Sequence, residues 1–361
     1  MQSKKLQSNL KPVKNKNFII IIALVIVLII SIILAVSIGS VKIPASDVYK
    51  VIINKIFGVQ ILDDSFKKSI IDIVWQIRLP RVLLGVITGM GLALGGSVMQ
   101  ATVQNPLADP YVLGISSGAT LGATFSILIG STILNGALQG TSTAFWGFVG
   151  ALLASAVVFK LSSMGGRITP IKLVLSGMVV NLICKAFSSF MIYLTNDNSA
   201  IRSISDWTMG SLTAAKWDNL WLATILVIIM AVFFISQARV MNIMLLGDEA
   251  AITLGIDLHK YRKIYLIAVS ILTGVLVASC GVIGFIGLII PHITRSLVGT
   301  NHKINLPVAM LIGGIFLVWS DVLARIILKN MEMPIGIITS VIGAPFFMYI
   351  MIKRAYSFGE R

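Results

Sequence analysis

Apolar stretches recur along this chain at lengths that a lipid bilayer explains and a water-soluble core does not. They run at roughly 18–38, 82–104, 111–131, 143–162, 168–194, 217–237, 264–280, 282–298, 305–328 and 335–352, and crossing the hydrocarbon takes about 20 residues of helix. Inside lipid every backbone N–H and C=O must be satisfied within the spanning structure, so only helices and closed barrels cross. The period-two alternation of barrel strands is absent here, which leaves helices. Composition agrees: 57% of the 361 residues are hydrophobic and only 12% are charged, about half the charged share of a soluble domain. The expected fold is an all-α integral membrane protein of about ten transmembrane helices, with one transmembrane domain over 18–353.

Charge orients the chain. Met1 to Asn17 carries Lys4, Lys5, Lys11, Lys14 and Lys16 and no acid, and cytoplasmic segments hold the lysine and arginine excess. Residues 1–17 therefore read as a cytoplasmic tail. The long run from Phe18 reads as an uncleaved first helix, because a signal peptide has a shorter core. An even number of spans returns residues 354–361 to the same side. The net charge of +15 then reflects cytoplasmic loops beside anionic lipid and requires no nucleic-acid partner. Cys184 and Cys280 both fall in apolar stretches, so neither a disulfide framework nor a metal-ligand spacing is encoded.

Glycines spaced four apart (Gly85 and Gly89, Gly91 and Gly95, Gly118 and Gly122) indicate close helix packing, since helices in lipid gain little from hydrophobicity between themselves. Trp75, Trp207, Trp217 and Trp221 lie near span ends, as interfacial rings do. The span from about Val82 and the span from about Ile264 each open a group of four and run in opposite directions. That pattern suggests an inverted repeat.

No engine of the chain's own is visible. There is no GxxxxGK[ST] phosphate loop, and His259, His292 and His302 show no metal spacing. An ion-coupled carrier keeps acids or histidines deep in the membrane as relays; here Asp321 is the one acid well inside a span, toward its outer end, with Arg325 on the same face as a structural partner. Lys185 is a lone cation in a span, where it can snorkel, pair or face a wet pathway. Energy must then come from another chain. The largest cytoplasmic loop, within 238–263, contains LLGDEAAITLGIDLHKYR: a helical piece from Asp248 to Leu254, a stop at Gly255 and a second short polar piece. Such a loop suits docking into a soluble partner.

Two polar interruptions are more specific. RLPRVLLGVITGMGLALGGSVMQATVQNPLADPYVLGISSGA spans Arg78 to Ala119, and its Asn105-Pro106 and Asp109-Pro110 pairs force a turn, because a residue before proline is pushed out of the helical region. GVIGFIGLIIPHITRSLVG spans Gly281 to Gly299, with DVLAR and MEMPIGIITSVIGAPFF beyond it. Together these residues resemble the FecCD family of importer permeases. Arg78, Pro80 and Arg81 match its Arg-x-Pro-Arg; Gln100, Asn105, Pro106, Leu107, Ala108 and Pro110 match its turn; Pro291, His292, Arg295, Asp321, Arg325, Glu332, Pro334, Gly336, Gly343 and Pro345 follow in order. Gln104 departs from the family's usual arginine, as do Asn301 and Lys303 from an Asp and an Arg around His302.

The resemblance implies a type II ABC importer permease fold in a bacterial cytoplasmic membrane. It also implies a homodimer or a pairing with a close paralogue, two cytoplasmic ABC ATPase subunits that use ATP, and an extracytoplasmic substrate-binding protein. No cofactor is held by this chain and no covalent chemistry is done by it. The implied docking residues for the binding protein are Arg78, Arg81 and Arg325. The implied ATPase coupling loop contains Gly247, Asp248, Glu249, Leu254, Gly255 and Arg262, and the implied cytoplasmic gate Asn105, Pro106 and Leu107. The expected cargo is an iron–siderophore complex, ahead of haem or cobalamin, with an ion-coupled carrier as the rival class.

Overall fold

The computed structural model describes residues 2–39, 41–58, 66–128, 142–164, 169–328 and 331–353, and every element among them is helical. In chain order these are α1 (Gln2–Ser37), α2 (Ala45–Phe57), α3 (Lys68–Asp72), α4 (Leu79–Val103), α5 (Ile115–Leu128), α6 (Thr143–Ser163), α7 (Pro170–Leu194), α8 (Asn198–Thr208), α9 (Trp217–Ser236), α10 (Ala238–Met244), α11 (Asp248–Thr253), α12 (Leu258–Cys280), α13 (Ile286–Val298), α14 (His302–Ile326) and α15 (Ile335–Lys353). A π-helical stretch, Ile73–Arg78, joins α3 to α4, and a 3₁₀ turn, Pro110–Leu113, precedes α5. Seven helical stretches are long and apolar enough to cross a membrane; α5, α13 and α15 are shorter apolar helices. Together they account for the ten expected spans. The tail 354–361 lies outside the described residues.

α4 is the axis of the molecule. It is buried along most of its length and packs on α9, α12, α13 and α14. Two places on it tolerate no side chain: a Cβ on Gly89 would collide with the Gly313 carbonyl of α14, and one on Gly96 with the Gly287 carbonyl of α13. Gly95, by contrast, has only ordinary contacts. Close approach thus runs through Gly89 and Gly96, one outside the four-spaced pairs legible in the sequence. A second set, α5 with α6 and α7, closes through Gly118 against Gly150.

The span expected from residue 282 starts later. Gly281 takes φ +70, and residues 281–284 stay non-helical until α13 opens at Ile286. The span expected from 111 likewise begins as a 3₁₀ turn, and Gly114, at φ +72, resets the chain before α5. Gln104 and Phe285, the two non-glycine residues with positive φ among those described, sit at these two breaks. Five spans apart in the count of ten, α4 and α12 cross in opposite senses, and each is followed by such a break, the relation an inverted repeat requires.

Five short helices, α2, α3, α8, α10 and α11, lie outside the expected spans. α2 occupies the polar segment after α1, starts behind Pro44 and stops at Gly58 in the left-handed region. α8 is strongly amphipathic, and the Asp197 side chain accepts from the Ser199 and Ala200 amides at its start. α10 continues α9 after a kink at Gln237.

Candidate functional site

At one end of the bundle, Asp321 of α14 is buried to 1% exposure, and a carboxylate there must be compensated. Arg81, on the first turn of α4, places Nη2 2.9 Å and Nε 3.0 Å from Asp321 Oδ1. Arg325, one turn along α14, brings Nε to 3.1 Å from Oδ2. Arg81 Nη1 also donates to Glu332 Oε2 at 2.7 Å, and the Glu332 side chain is half-exposed. The Asp321–Arg325 pair expected from spacing is therefore present, and Arg81 is a second partner from 240 residues away.

The other guanidinium contacts go to backbone. Arg78 donates to the carbonyls of Val36 and Ser37 at 2.9 and 3.1 Å, and also to Val41. Arg325 donates to Ile38 and Ala35 at 2.9 and 3.0 Å. All but Val41 lie at the end of α1, where no further turn of helix donates to their carbonyls, and cations are favoured at a helix C-terminus. Arg78, Arg81 and Arg325 thus come together, but their side chains are turned inward and engaged. Arg81 and Arg325 hold Asp321, Arg81 alone holds Glu332, and Arg78 holds backbone only, so three guanidiniums stand near two carboxylates with an excess of positive charge. Beside them opens a cavity of about 1420 Å³, lined by Arg81, Asp321 and Glu332 together with Arg202, Asp206 and Trp207 of α8.

The opposite end holds the turn and the loop. Asn105 Oδ1 accepts from the Leu107 amide at 2.9 Å, and its carbonyl accepts from Ala108. Pro106 lies in that turn and has no N–H, so the Thr102 carbonyl loses the partner four residues on that a helix would supply. Arg262 takes its place, with Nε donating to Thr102 at 3.1 Å. The same guanidinium grips Asp248 by a fork, Nη1 to Oδ2 at 3.0 Å and Nη2 to Oδ1 at 2.7 Å. One buried arginine therefore ties the start of α11 to the end of α4. Gln104 adds a second tie, its Nε2 donating to the Met244 carbonyl of α10 at 2.6 Å.

α11 stops as its sequence suggests. Gly255, at φ +81, donates to Ile252 at 2.9 Å while Ile256 donates to Ala251 at 3.0 Å. The loop turns Leu246, Glu249, Ile252 and Leu254 outward. Aliphatic side chains exposed together on a polar loop suit contact with a soluble partner. Between loop and turn lies a small cavity of about 230 Å³, lined by Gln100, Gln104, Pro106, Gly247, Arg295 and His302. Arg295 Nη2 donates to Gln100 Oε1 at 2.6 Å, so α13 is tied to α4 close to the turn.

Lys185 lies on α7 and is exposed. The exposed face of α7 also carries Asn181 and Ser189, one turn to either side. The exposed middle of α9 is by contrast wholly apolar: Leu222, Ile225, Ile228, Ile229 and Val232.

A bundle with a buried charge cluster at one end and a tethered loop and proline turn at the other matches one family along almost its whole length. The model of the FecCD transport family covers residues 27–353. The chain belongs to the FecCD transport family. Among FecCD relatives, the cobalamin import permease BtuC of Halobacterium salinarum is 39% identical over 282 residues, 78% of this chain and 74% of that one. The hemin transport permease HmuU of Yersinia pestis is 39% identical over 288 residues, covering 78% and 85%. YvrB of Bacillus subtilis, an ABC transporter permease, is 40% identical over 326 residues and 90% of each chain. A solved ABC transporter of metal-chelate type, in an inward-facing conformation, matches with a TM-score of 0.77 at 28% identity over 93% of this chain and 99% of that one. The chain is thus a multi-pass membrane protein with the type II fold, an ABC importer permease whose ATPase is a separate subunit.

The FecCD motif residues were visible in the sequence as positions, and their contacts were not. Glu332 as a second carboxylate on Arg81, and the α1 carbonyls as acceptors for Arg78 and Arg325, depend on helix ends meeting across the fold. A local signal did exist for α8, since Asp197 followed by Asn-Ser-Ala is a helix-start signature.

Proposed function

We propose that this chain moves an iron–siderophore complex inward across a bacterial cytoplasmic membrane by ATP-driven alternating access, with both termini cytoplasmic. The observation that carries the mechanism is the Arg262 bridge. A displacement of α11 must pull on the Thr102 carbonyl at the end of α4, two residues before Gln104 and three before the Asn105–Leu107 turn. In this reading two cytoplasmic ABC ATPase subunits grip the loop through Leu246, Ile252 and Leu254. Their closure on ATP shifts Asp248, and the turn at Asn105, Pro106 and Leu107 opens or shuts the inner mouth of a conduit formed with a second permease copy.

The charge cluster at the other end is the docking site for the substrate-binding protein. Arg78, Arg81 and Arg325 outnumber Asp321 and Glu332, so acidic side chains from a partner complete the balance. Docking of the purified binding protein then weakens steeply as salt is raised through the physiological range; salt-independent docking overturns this placement.

Support for the cargo is coarser. A metal-chelate transporter shares the fold, while relatives of similar identity are named for hemin and for cobalamin, so a tetrapyrrole importer is the second reading. The deciding experiment reconstitutes the complete transporter and follows uptake of radiolabelled ferric siderophore, haem and cobalamin in parallel. ATP-dependent uptake of the ferric siderophore is the expected result; uptake of cobalamin or haem alone selects the second reading. Uptake driven by an ion gradient with no ATPase present would remove both.

A further inference from the structure

α7 has 25 residues, and Lys185 is the sixteenth. At about 1.5 Å per residue, its Cα stands about 22 Å from Pro170 and about 14 Å from Leu194. A hydrocarbon core about 30 Å thick, centred on this helix, puts that Cα about 10 Å below the nearer boundary. A lysine stem reaches roughly 6 Å, so the ammonium does not arrive at the interface by stretching. Left in hydrocarbon, an unpaired ammonium is strongly disfavoured.

Relief does not come from within the described chain. Asp321, the one carboxylate deep in a span, is already held by Arg81 and Arg325. On the same exposed face Asn181 stands four residues before Lys185 and Ser189 four residues after, a polar column on one side of the helix beside the exposed apolar side chains of Met178 and Leu182. Exposed α9 shows what a lipid-facing surface of this protein contains, and it has no polar side chain at that depth. Of the exposed surfaces described, the column of Asn181, Lys185 and Ser189 is the one least suited to lipid.

We propose that Lys185 lines the conduit and makes it selective for cargo with net negative charge. This deepens the importer reading and rests on it. A facing second copy would present the same stripe by symmetry. Two ammonium groups across one path repel each other when it is empty and are satisfied together by an anionic chelate between them. Asn181 and Ser189 supply hydrogen bonds above and below the charge.

The test uses the assembled transporter and two ferric chelates of similar size. One is a tris-catecholate, strongly anionic; the other is a tris-hydroxamate, whose ligands just neutralise the metal. Lys185→Glu and Lys185→Gln should lower the ratio of anionic to neutral uptake by about tenfold or more, the size of one charge-assisted contact, while Lys185→Arg keeps the ratio. Equal effects on both probes overturn the proposal. Should the binding protein deliver only one probe, accessibility decides. With Cys184 and Cys280 replaced by alanine, Lys185→Cys should react quickly with a charged, membrane-impermeant thiol reagent and Ile229→Cys should not. A cysteine at 185 as inert as one at 229 places the side chain in lipid or a dry interface and overturns the proposal. Wild-type protein that takes up neither probe, nor haem nor cobalamin, with ATP present sinks the importer reading instead.

Discussion

Asp321 shows how much can rest on one carboxylate. Two arginines from different helices compensate it, and both carry further bonds, Arg81 to Glu332 and Arg325 to the end of α1. Removing one partner of a buried pair leaves an uncompensated charge, at a cost of about 3–5 kcal/mol. Asp321→Asn should therefore cost stability on that scale, read as a large fall in unfolding temperature of the purified protein. Glu332→Gln, at a half-exposed position, should cost no more than about 1 kcal/mol. If the two variants proved equally mild, the cluster would have no structural role. Sequence spacing showed one edge of this cluster, Asp321 with Arg325, because i and i+4 share a helix face. Arg81 and Glu332 reach it only through the packing of α4 on α14 and the return of the chain into α15, and no local pattern encodes either.

At the scale of elements, the α10–α11 segment is the part whose purpose was easiest to read and whose connections were hardest. Gly255 was recognisable as a helix stop. The structure places nothing within 4 Å of a Cβ built there, so the constraint is its positive φ and not space. A β-carbon in the left-handed region costs about 1–2 kcal/mol, and asparagine tolerates it better than alanine. Gly255→Asn should thus couple ATP hydrolysis to uptake better than Gly255→Val. A stronger lesion is expected from Arg262→Lys, which keeps the charge and loses the fork that holds Asp248 and Thr102 together. Hydrolysis with little uptake is the expected outcome in the reconstituted transporter; fully coupled transport would show that the bridge transmits nothing. The bridge itself follows from chemistry written in the sequence, since Pro106 leaves the Thr102 carbonyl without a helical donor. Which donor replaces it was decided by α12, 160 residues on.

Across the whole molecule, hydropathy located the ten membrane helices because their length is set by lipid and not by tertiary detail. It overestimated those that begin with a break, as at residues 281–285, where glycine conformation interrupts an otherwise apolar run. Alternating access predicts that the two ends change together. Leu107→Cys, in a protein without Cys184 and Cys280, should change its thiol labelling rate several-fold when a non-hydrolysable ATP analogue is added to the assembled transporter. A rate indifferent to nucleotide would mean that the turn is not a gate.

The two breaks also touch. The Tyr111 hydroxyl donates to the Ile283 carbonyl at 2.9 Å and accepts from the Ile283 amide at 3.3 Å, so one phenol serves both backbone groups of a residue that no helix serves. Irregular chain at membrane depth survives only when something nearby answers its polar groups. Here the answer for one half of the molecule is supplied by the other, and neither discontinuity can slide, unwind or tilt without stranding its counterpart. The two breaks are thereby fastened to each other through one phenolic oxygen, and any rocking of the helices that carry them must move the two breaks together or break that contact.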